Sequence, residues 1–178
     1  MNKQAFNIIK QAVDNGLIPG AAYAIINGRD IEINSYGYAE VEPEKIENNN
    51  QTLYDMASCS KVVATTTMIL KLIEEGIINL ADDVRTHLDN FPYENITIKN
   101  LLTHTAGLYP DDKRYKEVNS KEEFIDFMYS LDLLHEVNEC VDYSDFGFII
   151  LGLIIEKYKG SLEAYLNEVL LQPLGMNN

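Results

Sequence analysis

The sequence is poor in the residues that build disulfide frameworks, metal centres and basic binding surfaces. It contains two cysteines and three histidines, and neither set has the spacing of a disulfide scaffold or a metal site. Its 14 basic residues face 28 acidic ones, and the formal net charge of −14 disfavours nucleic acid and anionic lipid as partners. We therefore expect no metal, no cofactor and no nucleic-acid partner.

Long apolar runs are also lacking. No uncharged stretch approaches the roughly 18 residues that a bilayer-spanning helix needs, so we expect no membrane segment. Residues 1–16 lack the basic, apolar and small-residue order of a secretory signal, and instead place Phe6, Ile9 and Val13 at helical spacing. As it stands, the sequence predicts a cytoplasmic protein, or a periplasmic or extracellular one if a signal was removed.

The first third of the chain predicts one helix and one β-hairpin. The apolar run 21–26 and the returning run 31–38 flank Asn27-Gly28, a dipeptide typical of hairpin turns. Residues 40–51 are polar and predict a surface loop. A lone hairpin is only marginally stable in water, so its sheet needs strands that this sequence does not supply.

From Ser58 onward the pattern is helical. A broad apolar helix begins there and ends near Gly76, and further helices are predicted at 81–88, 98–104, 121–129, 146–158 and 161–171, the last stopped by Pro173. The helix over 146–158 is apolar nearly all round, which predicts burial. The result is an α+β chain with a helix-and-hairpin part at 1–57 and a mostly helical domain at 58–178.

One tetrapeptide in the chain combines a serine and a lysine in a way that suits nucleophilic catalysis. Ser58-Cys59-Ser60-Lys61 is its only Ser-x-x-Lys. At a helix start, positions i and i+3 share a face, which places the lysine amine beside the serine hydroxyl. The helix N-terminus also favours a developing oxyanion. The competing interpretation is that Ser58 only caps the helix.

Four blocks of sequence resemble the class C β-lactamase-like proteins, a group that includes penicillin-binding proteins and serine esterases. In chain order they are TLYDMASCSKVVATTTMILKLIEEGIINLADDV, ITIKNLLTHTAGL, YSDFGFIILGLIIEKYKG and VLLQPLGMNN. The resemblance covers nearly the whole chain and corresponds to the N-terminal portion of that fold. It implies a serine hydrolase that acts through an acyl-enzyme on Ser58, with Lys61 beside it.

The second motif of this family is Tyr-x-Asn, and its position identifies the matching residues. Tyr93-Glu94-Asn95 and Tyr165-Leu166-Asn167 match literally but lie outside the expected place, between the His-Thr-Ala-Gly block and the long apolar helix. Tyr143-Ser144-Asp145 lies there, so the resemblance makes Tyr143 a catalytic proton carrier and Asp145 a substrate-binding residue.

Asp145 departs from the family's asparagine. A carboxylate accepts hydrogen bonds but, unlike an amide, donates none. It would also hold Lys61 as an ammonium ion, with an attraction of about 4 kcal/mol at 4 Å and an effective dielectric of 20, before desolvation. Classical β-lactam recognition is therefore less favoured, and ester hydrolysis more so.

The family's third motif, Lys/His-x-Gly, does not occur in the sequence. In the family that motif lies on a C-terminal strand that closes the site, so we expect a truncated fold that lacks those strands. The implied substrate is a β-lactam, a D-alanyl peptide or a small ester. The alternative is a catalytically incomplete fragment without turnover. We also expect this chain to self-associate through the edge of the hairpin, or to leave the hairpin poorly ordered.

Three weaker candidates remain. Cys59 and Cys140 are expected to be free, buried thiols, because adjacent side chains on a helix diverge and a disulfide needs a narrow Cα separation. His104 follows the pattern of a helix end and is expected to be structural.

Overall fold

The computed structural model describes residues 3–176, which form two compact units, one ending at Asp55 and the other beginning at Met56. The first unit contains helix α1 and an antiparallel sheet in the order β1-β2-β3. Its elements are α1 (Lys3–Asp14), β1 (Gly20–Asn27), β2 (Asp30–Glu40) and β3 (Ile46–Glu47). The short strand β3 corrects our prediction of a loop over 40–51, because two residues carry too little periodicity to reveal a strand.

The predicted hairpin of residues 21–38 is present, and its turn lies one residue later than Asn27-Gly28. Asn27 pairs with Asp30, so Gly28 and Arg29 form the two-residue connection, and Gly28 takes the φ of +62° that this tight turn needs. Pairing of Ile26 with Ile31 puts both side chains on one face, where they are exposed.

Helices make up most of the second unit. A π-helical segment (Lys61–Thr66) continues into α2 (Thr67–Glu74), and Gly76 follows with a φ of +72°, as a helix-ending glycine does. The remaining helices are α3 (Ile98–Leu102), α4 (Lys121–Tyr129), α5 (Asp145–Lys159), α6 (Leu162–Leu166), a π-helical segment (Asn167–Leu171) and α7 (Gln172–Leu174), with 3₁₀ turns at Val84–Thr86 and Lys113–Glu117.

Helix α5 is the centre of this unit, as its apolar sequence predicts. It packs against α2, α3 and α6, and its side chains Ile150, Leu151, Ile154 and Ile155 are fully buried. Gly160 ends it at a φ of +75°. None of the helices in the described part of the chain is both long and apolar enough to cross a bilayer.

Two predicted helices differ most from the structure, and α3 ends at Leu102, two residues before its predicted end. Only the 3₁₀ turn Val84–Thr86 forms within 81–88, because the backbone there bonds to a distant segment: Val84 N–H donates to Ile96 O, and Ile98 N–H donates to Asp82 O. The last helix does not stop at Pro173 but continues to Leu174. The π-helical turn before the proline changes the hydrogen-bond register, and Gly175 at a φ of +65° ends the helix.

Candidate functional site

Ser58 lies in an exposed turn that leads into the π-helical segment. Lys61 N–H donates to Ser58 O at 3.1 Å, which holds the two residues one turn apart. Ala57, immediately before the serine, has a φ of +41°, an unusual conformation for a residue with a side chain. Backbone strain of this kind concentrates at functional sites.

The phenol of Tyr143 contacts both residues of the Ser-x-x-Lys motif. Its oxygen accepts hydrogen bonds from the Lys61 ammonium and from the Ser58 hydroxyl, and these two bonds lower the pKa of Tyr143. Lys61 Nζ also lies 5.0 Å from the centre of the Tyr143 ring. The structure therefore brings together the three side chains that the sequence predicted for the site, and Tyr143 is about half exposed.

Asp145 completes this group as the ion-pair partner of Lys61. Lys61 Nζ lies 2.6 Å from Asp145 Oδ1, and the lysine side chain is largely buried while half of the Asp145 side chain is exposed. Burial alone would lower the pKa of Lys61. The hydrogen bonds to Asp145 and Tyr143 together outweigh burial and raise the pKa above its ordinary value, so Lys61 is held as an ammonium ion.

The N-terminus of α5 fixes the Tyr143-x-Asp145 segment. Ser144 is buried and caps the helix: its Oγ accepts from Gly147 N–H at 3.2 Å and donates to Tyr109 O at 2.6 Å. Asp145 N–H donates to Pro110 O at 2.8 Å. The side chains of Tyr143 and Asp145, on either side of Ser144, thus extend from a backbone that these hydrogen bonds hold in place.

Two residues adjoin this group that sequence reasoning did not assign to it. Phe148, on the same face of α5 as Asp145, has its ring centre 5.8 Å from Lys61 Nζ. His104 packs its ring against Tyr143 with a centroid separation of 4.6 Å. Phe148 follows Asp145 by three residues on a helix, and this spacing could have placed it beside the site. The contact of His104 with Tyr143 depends on the tertiary fold, which the spacing does not reveal.

The two literal Tyr-x-Asn matches lie elsewhere and have structural partners. Tyr93 Oη donates to Leu131 O at 2.6 Å, and Tyr165 Oη donates to Glu75 Oε1 at 3.0 Å. Cys59 and Cys140 are free thiols, but both are exposed, so the expected burial is wrong. Cys59 lies in the first helical residues after Ser58 and Cys140 in the irregular segment before Tyr143, and neither belongs to the buried core.

A cavity of about 460 Å³ lies beside the Lys61–Asp145 ion pair. Its walls are mainly apolar in area and come from the π-helical segment, the start of α4, α5 and α6; the apolar side chains include Phe148, Ile149 and Leu162. Cavities of this size are typical of small-molecule sites. Over residues 3–176, no three His, Cys, Asp or Glu side chains converge in the manner of metal ligands.

Comparison with known proteins gives matches along the chain. The family model described as Beta-lactamase matches residues 5–178. Protein flp of Staphylococcus aureus (strain MRSA252) is 34% identical over 188 residues, covering 99% of this chain and 37% of that protein. Penicillin-binding protein 4* of Bacillus subtilis (strain 168) is 35% identical over 170 residues, covering 89% of this chain and 37% of that protein. The chain thus spans about 37% of the length of these relatives.

Solved structures show the same fold. The D-amino acid amidase from Ochrobactrum anthropi SV3, complexed with L-phenylalanine, superposes with a TM-score of 0.83 at 24% identity, over 100% of this chain and 51% of the amidase. A class C beta lactamase from Rhodobacter sphaeroides gives a TM-score of 0.80 at 22% identity, over 96% of this chain and 48% of the lactamase. These likenesses confirm the predicted α+β, β-lactamase/transpeptidase-like architecture. With the family match over nearly its whole length, the chain belongs to the Beta-lactamase family.

Proposed function

We propose that this chain carries the acylation site of a serine hydrolase, with Ser58 as the nucleophile. The observation that carries the proposal is the shared phenol oxygen of Tyr143, which accepts from both Ser58 and Lys61 and has a lowered pKa. In its deprotonated form, the phenol so placed is a base within reach of the serine proton. Because Lys61 is held as an ammonium ion, Tyr143 is the base and Lys61 stabilises its negative charge.

The reaction follows from these positions. Ser58 Oγ attacks a carbonyl carbon as its proton passes to the Tyr143 phenolate, and a tetrahedral oxyanion forms. The carbon–nitrogen or carbon–oxygen bond of the substrate then breaks, and Tyr143 returns the proton to the leaving group. Water later hydrolyses the ester on Ser58, which regenerates the serine hydroxyl and releases a carboxylic acid.

The substrate we propose is a β-lactam, a D-alanyl peptide or a small ester. The relative named Penicillin-binding protein 4* favours the first two, whereas Asp145 favours the ester because it offers no hydrogen-bond donor to a substrate amide. The apolar cavity beside Lys61 suits an apolar substituent on the acyl group. A chain that becomes acylated without turnover is the second candidate, favoured by the absence of a Lys/His-x-Gly sequence among its 178 residues.

Covalent labelling tests the nucleophile. The chain is incubated with a fluorescent penicillin and, separately, with a p-nitrophenyl ester, and the adduct is located by intact mass and peptide mapping. We expect one acyl group on Ser58 and none in Ser58→Ala. Cys59→Ala is the matched control, because it removes the exposed neighbouring thiol that an activated ester could also acylate. A label that persists in Ser58→Ala would overturn the assignment, and product release after labelling separates turnover from arrested acylation.

A further inference from the structure

We infer that His104 is a positioning residue that holds Tyr143 in its place between Ser58 and Lys61. The inference rests on the proposed function, since it concerns the orientation of the proposed base. His104 lies 39 residues before Tyr143, directly after the short helix α3 and its cap Thr103. It contacts the Tyr143 segment through its backbone, its ring nitrogen and its ring face.

The backbone and the ring nitrogen of His104 bracket Tyr143. Asp142 N–H donates to His104 O at 2.9 Å, and Ser144 N–H donates to His104 Nδ1 at 3.0 Å. One residue therefore accepts from the backbone on each side of Tyr143. Because a backbone N–H only donates, Nδ1 is the acceptor and the ring proton of the neutral imidazole lies on Nε2.

The ring face supplies the third contact. The His104 ring lies 4.6 Å from the Tyr143 ring, centroid to centroid, at 35° between planes, and 5.1 Å from the buried Phe148 ring at 32°. Tyr143 is 48% exposed, so the imidazole is a principal constraint on the orientation of its ring. Phe148 supports the imidazole from the helix core, which links the orientation of Tyr143 to α5.

The backbone of His104 is held in a conformation that serves these contacts. Its φ is +57°, in the left-handed region where residues other than glycine are uncommon and histidine is among the enriched ones. The following residues are also fixed: Thr105 N–H donates to Asn100 O at 2.9 Å. A Cβ on Gly107 would lie 2.1 Å from His135 O, so this close approach requires glycine. The loop that presents His104 is thus constrained by the residues that follow it.

Burial first, and then the charge of Lys61, lower the pKa of His104. The imidazole is therefore neutral at neutral pH, as an acceptor Nδ1 requires. The contacts together give His104 a role in the site beyond the structural one expected from sequence.

The test uses two variants that separate the ring from the acceptor. His104→Asn keeps tolerance of a positive φ and an acceptor oxygen near the Nδ1 position, but removes the ring. His104→Phe keeps an aromatic face and removes the acceptor. His135→Asn is the matched control: His135 Nε2 pairs with the Asp142 carboxylate at 3.3 Å, and its contacts with Gly107 are made by backbone atoms, which the substitution keeps.

The first measurement is NMR of the 178-residue chain with ¹³C-labelled tyrosine, in which Tyr143→Phe identifies the Tyr143 resonance. We expect His104→Asn to shift this resonance and to move the pKa of Tyr143 toward that of an ordinary tyrosine, while His135→Asn leaves both unchanged. This measurement needs no substrate, so it decides the role of His104 even if the chain proves unable to acylate. An unmoved Tyr143 resonance and pKa in folded His104→Asn and His104→Phe would overturn the inference.

The second measurement is the rate of Ser58 acylation in single turnover. We expect His104→Asn to lower the rate constant about 10- to 100-fold with little change in substrate affinity, as a displaced catalytic group does. Since His104 acts through Tyr143, adding His104→Asn to Tyr143→Phe should lower the rate no further. Full additivity of the two effects would contradict action through Tyr143.

Discussion

The two units of the chain bury their apolar residues to very different degrees. In the helical unit, Leu151 and Ile154 are fully buried and belong to one continuous core. In the sheet unit, no side chain within residues 3–55 reaches the same burial, and Ile26, Ile31 and Ile33 are 68%, 63% and 53% exposed. The residues proposed for catalysis belong to the unit that has the core, where packed helices hold their backbone in place.

Truncation of one isoleucine in each unit should show the largest difference. We expect Ile154→Ala to lower the free energy of unfolding by about 2–5 kcal/mol, because it leaves a cavity in a packed core. The same change at Ile33, which is half exposed on a strand, should cost no more than about 1 kcal/mol. Denaturant unfolding followed by circular dichroism measures both. Equal costs would mean that the exposed face of the sheet is covered in solution.

The next effect concerns the charge beside the proposed base. The negative charge of Asp145 raises the pKa of both Lys61 and Tyr143. Asp145→Asn should therefore lower the pKa of Tyr143, and a base active in its deprotonated form would then work at lower pH. We expect β-lactam acylation at pH 7 to rise several-fold, because more of the Tyr143 phenol is then deprotonated. The ascending limb of the pH–rate profile should move to lower pH.

Asp142→Asn is the control for this prediction. It removes a carboxylate three residues earlier, one that pairs with His135 and not with Lys61. We expect it to leave the position of the pH–rate profile unchanged. If Asp145→Asn leaves acylation unchanged or slows it, the carboxylate has a direct role in handling the substrate.

Local sequence signals were sufficient for much of the helical unit. The helix at 121–129 forms with the predicted bounds, and Ser120 accepts from Glu123 N–H as its N-cap. Thr97 caps α3, although that helix, predicted over 98–104, ends at Leu102. Caps and terminal glycines act within one turn, so a single sequence is enough to recognise them.

Contacts between distant segments were not predictable from those signals. The 3₁₀ turn at Val84–Thr86 depends on pairing with the chain near Ile96, and strand β3 consists of two residues. In the site, the resemblance nominated Tyr143, but the packing of His104 on its ring spans 39 positions of sequence. Such contacts depend on how helices pack, and spacing along the chain carries no record of them.

A smaller effect is expected from the half-buried phenol of Tyr93, which packs against the helical core. Tyr93→Phe removes the hydrogen bond to Leu131 O and should destabilise the unit by about 1 kcal/mol. Burial raises the pKa of Tyr93 to about 12. Since the unfolded chain would lose that proton near pH 10, the contribution of Tyr93 is complete below pH 10 and is lost as the pH rises toward 12.

Denaturant unfolding of Tyr93→Phe and of the parent chain at pH 7 tests the expected loss of stability. The same measurement at a series of pH values above 10 tests the expected pH dependence. Tyr115→Phe, at an exposed tyrosine of the same unit, is the control and should change stability little. If Tyr93→Phe loses stability above pH 10 as steeply as the parent chain does, another titrating group dominates the pH dependence of stability in that range.

The weakest effect is expected at the open edge of the sheet unit, where β1 pairs with β2 alone in the described sheet. We propose that two copies of the chain associate through this edge, because an unpaired strand is a template for another strand. Asn27 and Asp30 close the two-residue turn as a hydrogen-bonded pair. Every second residue of β1, counted back from Asn27, therefore bonds to β2, and the residues between them point their N–H groups away from β2. Ala24 is one of these, so its N–H faces the open side of the sheet.

Ala24→Pro therefore removes one outward donor without breaking a bond to β2, and edge strands tolerate proline. We expect the apparent mass of the parent chain to rise with concentration in sedimentation or light scattering, and Ala24→Pro to reduce that rise. Ala24→Val is the control, since it retains the N–H and should associate as the parent does. A reductant is required throughout, because the exposed thiols of Cys59 and Cys140 could join chains covalently. A parent chain that stays monomeric at every concentration would show that this edge is protected, and the contrast between the two units would then rest on side-chain burial alone.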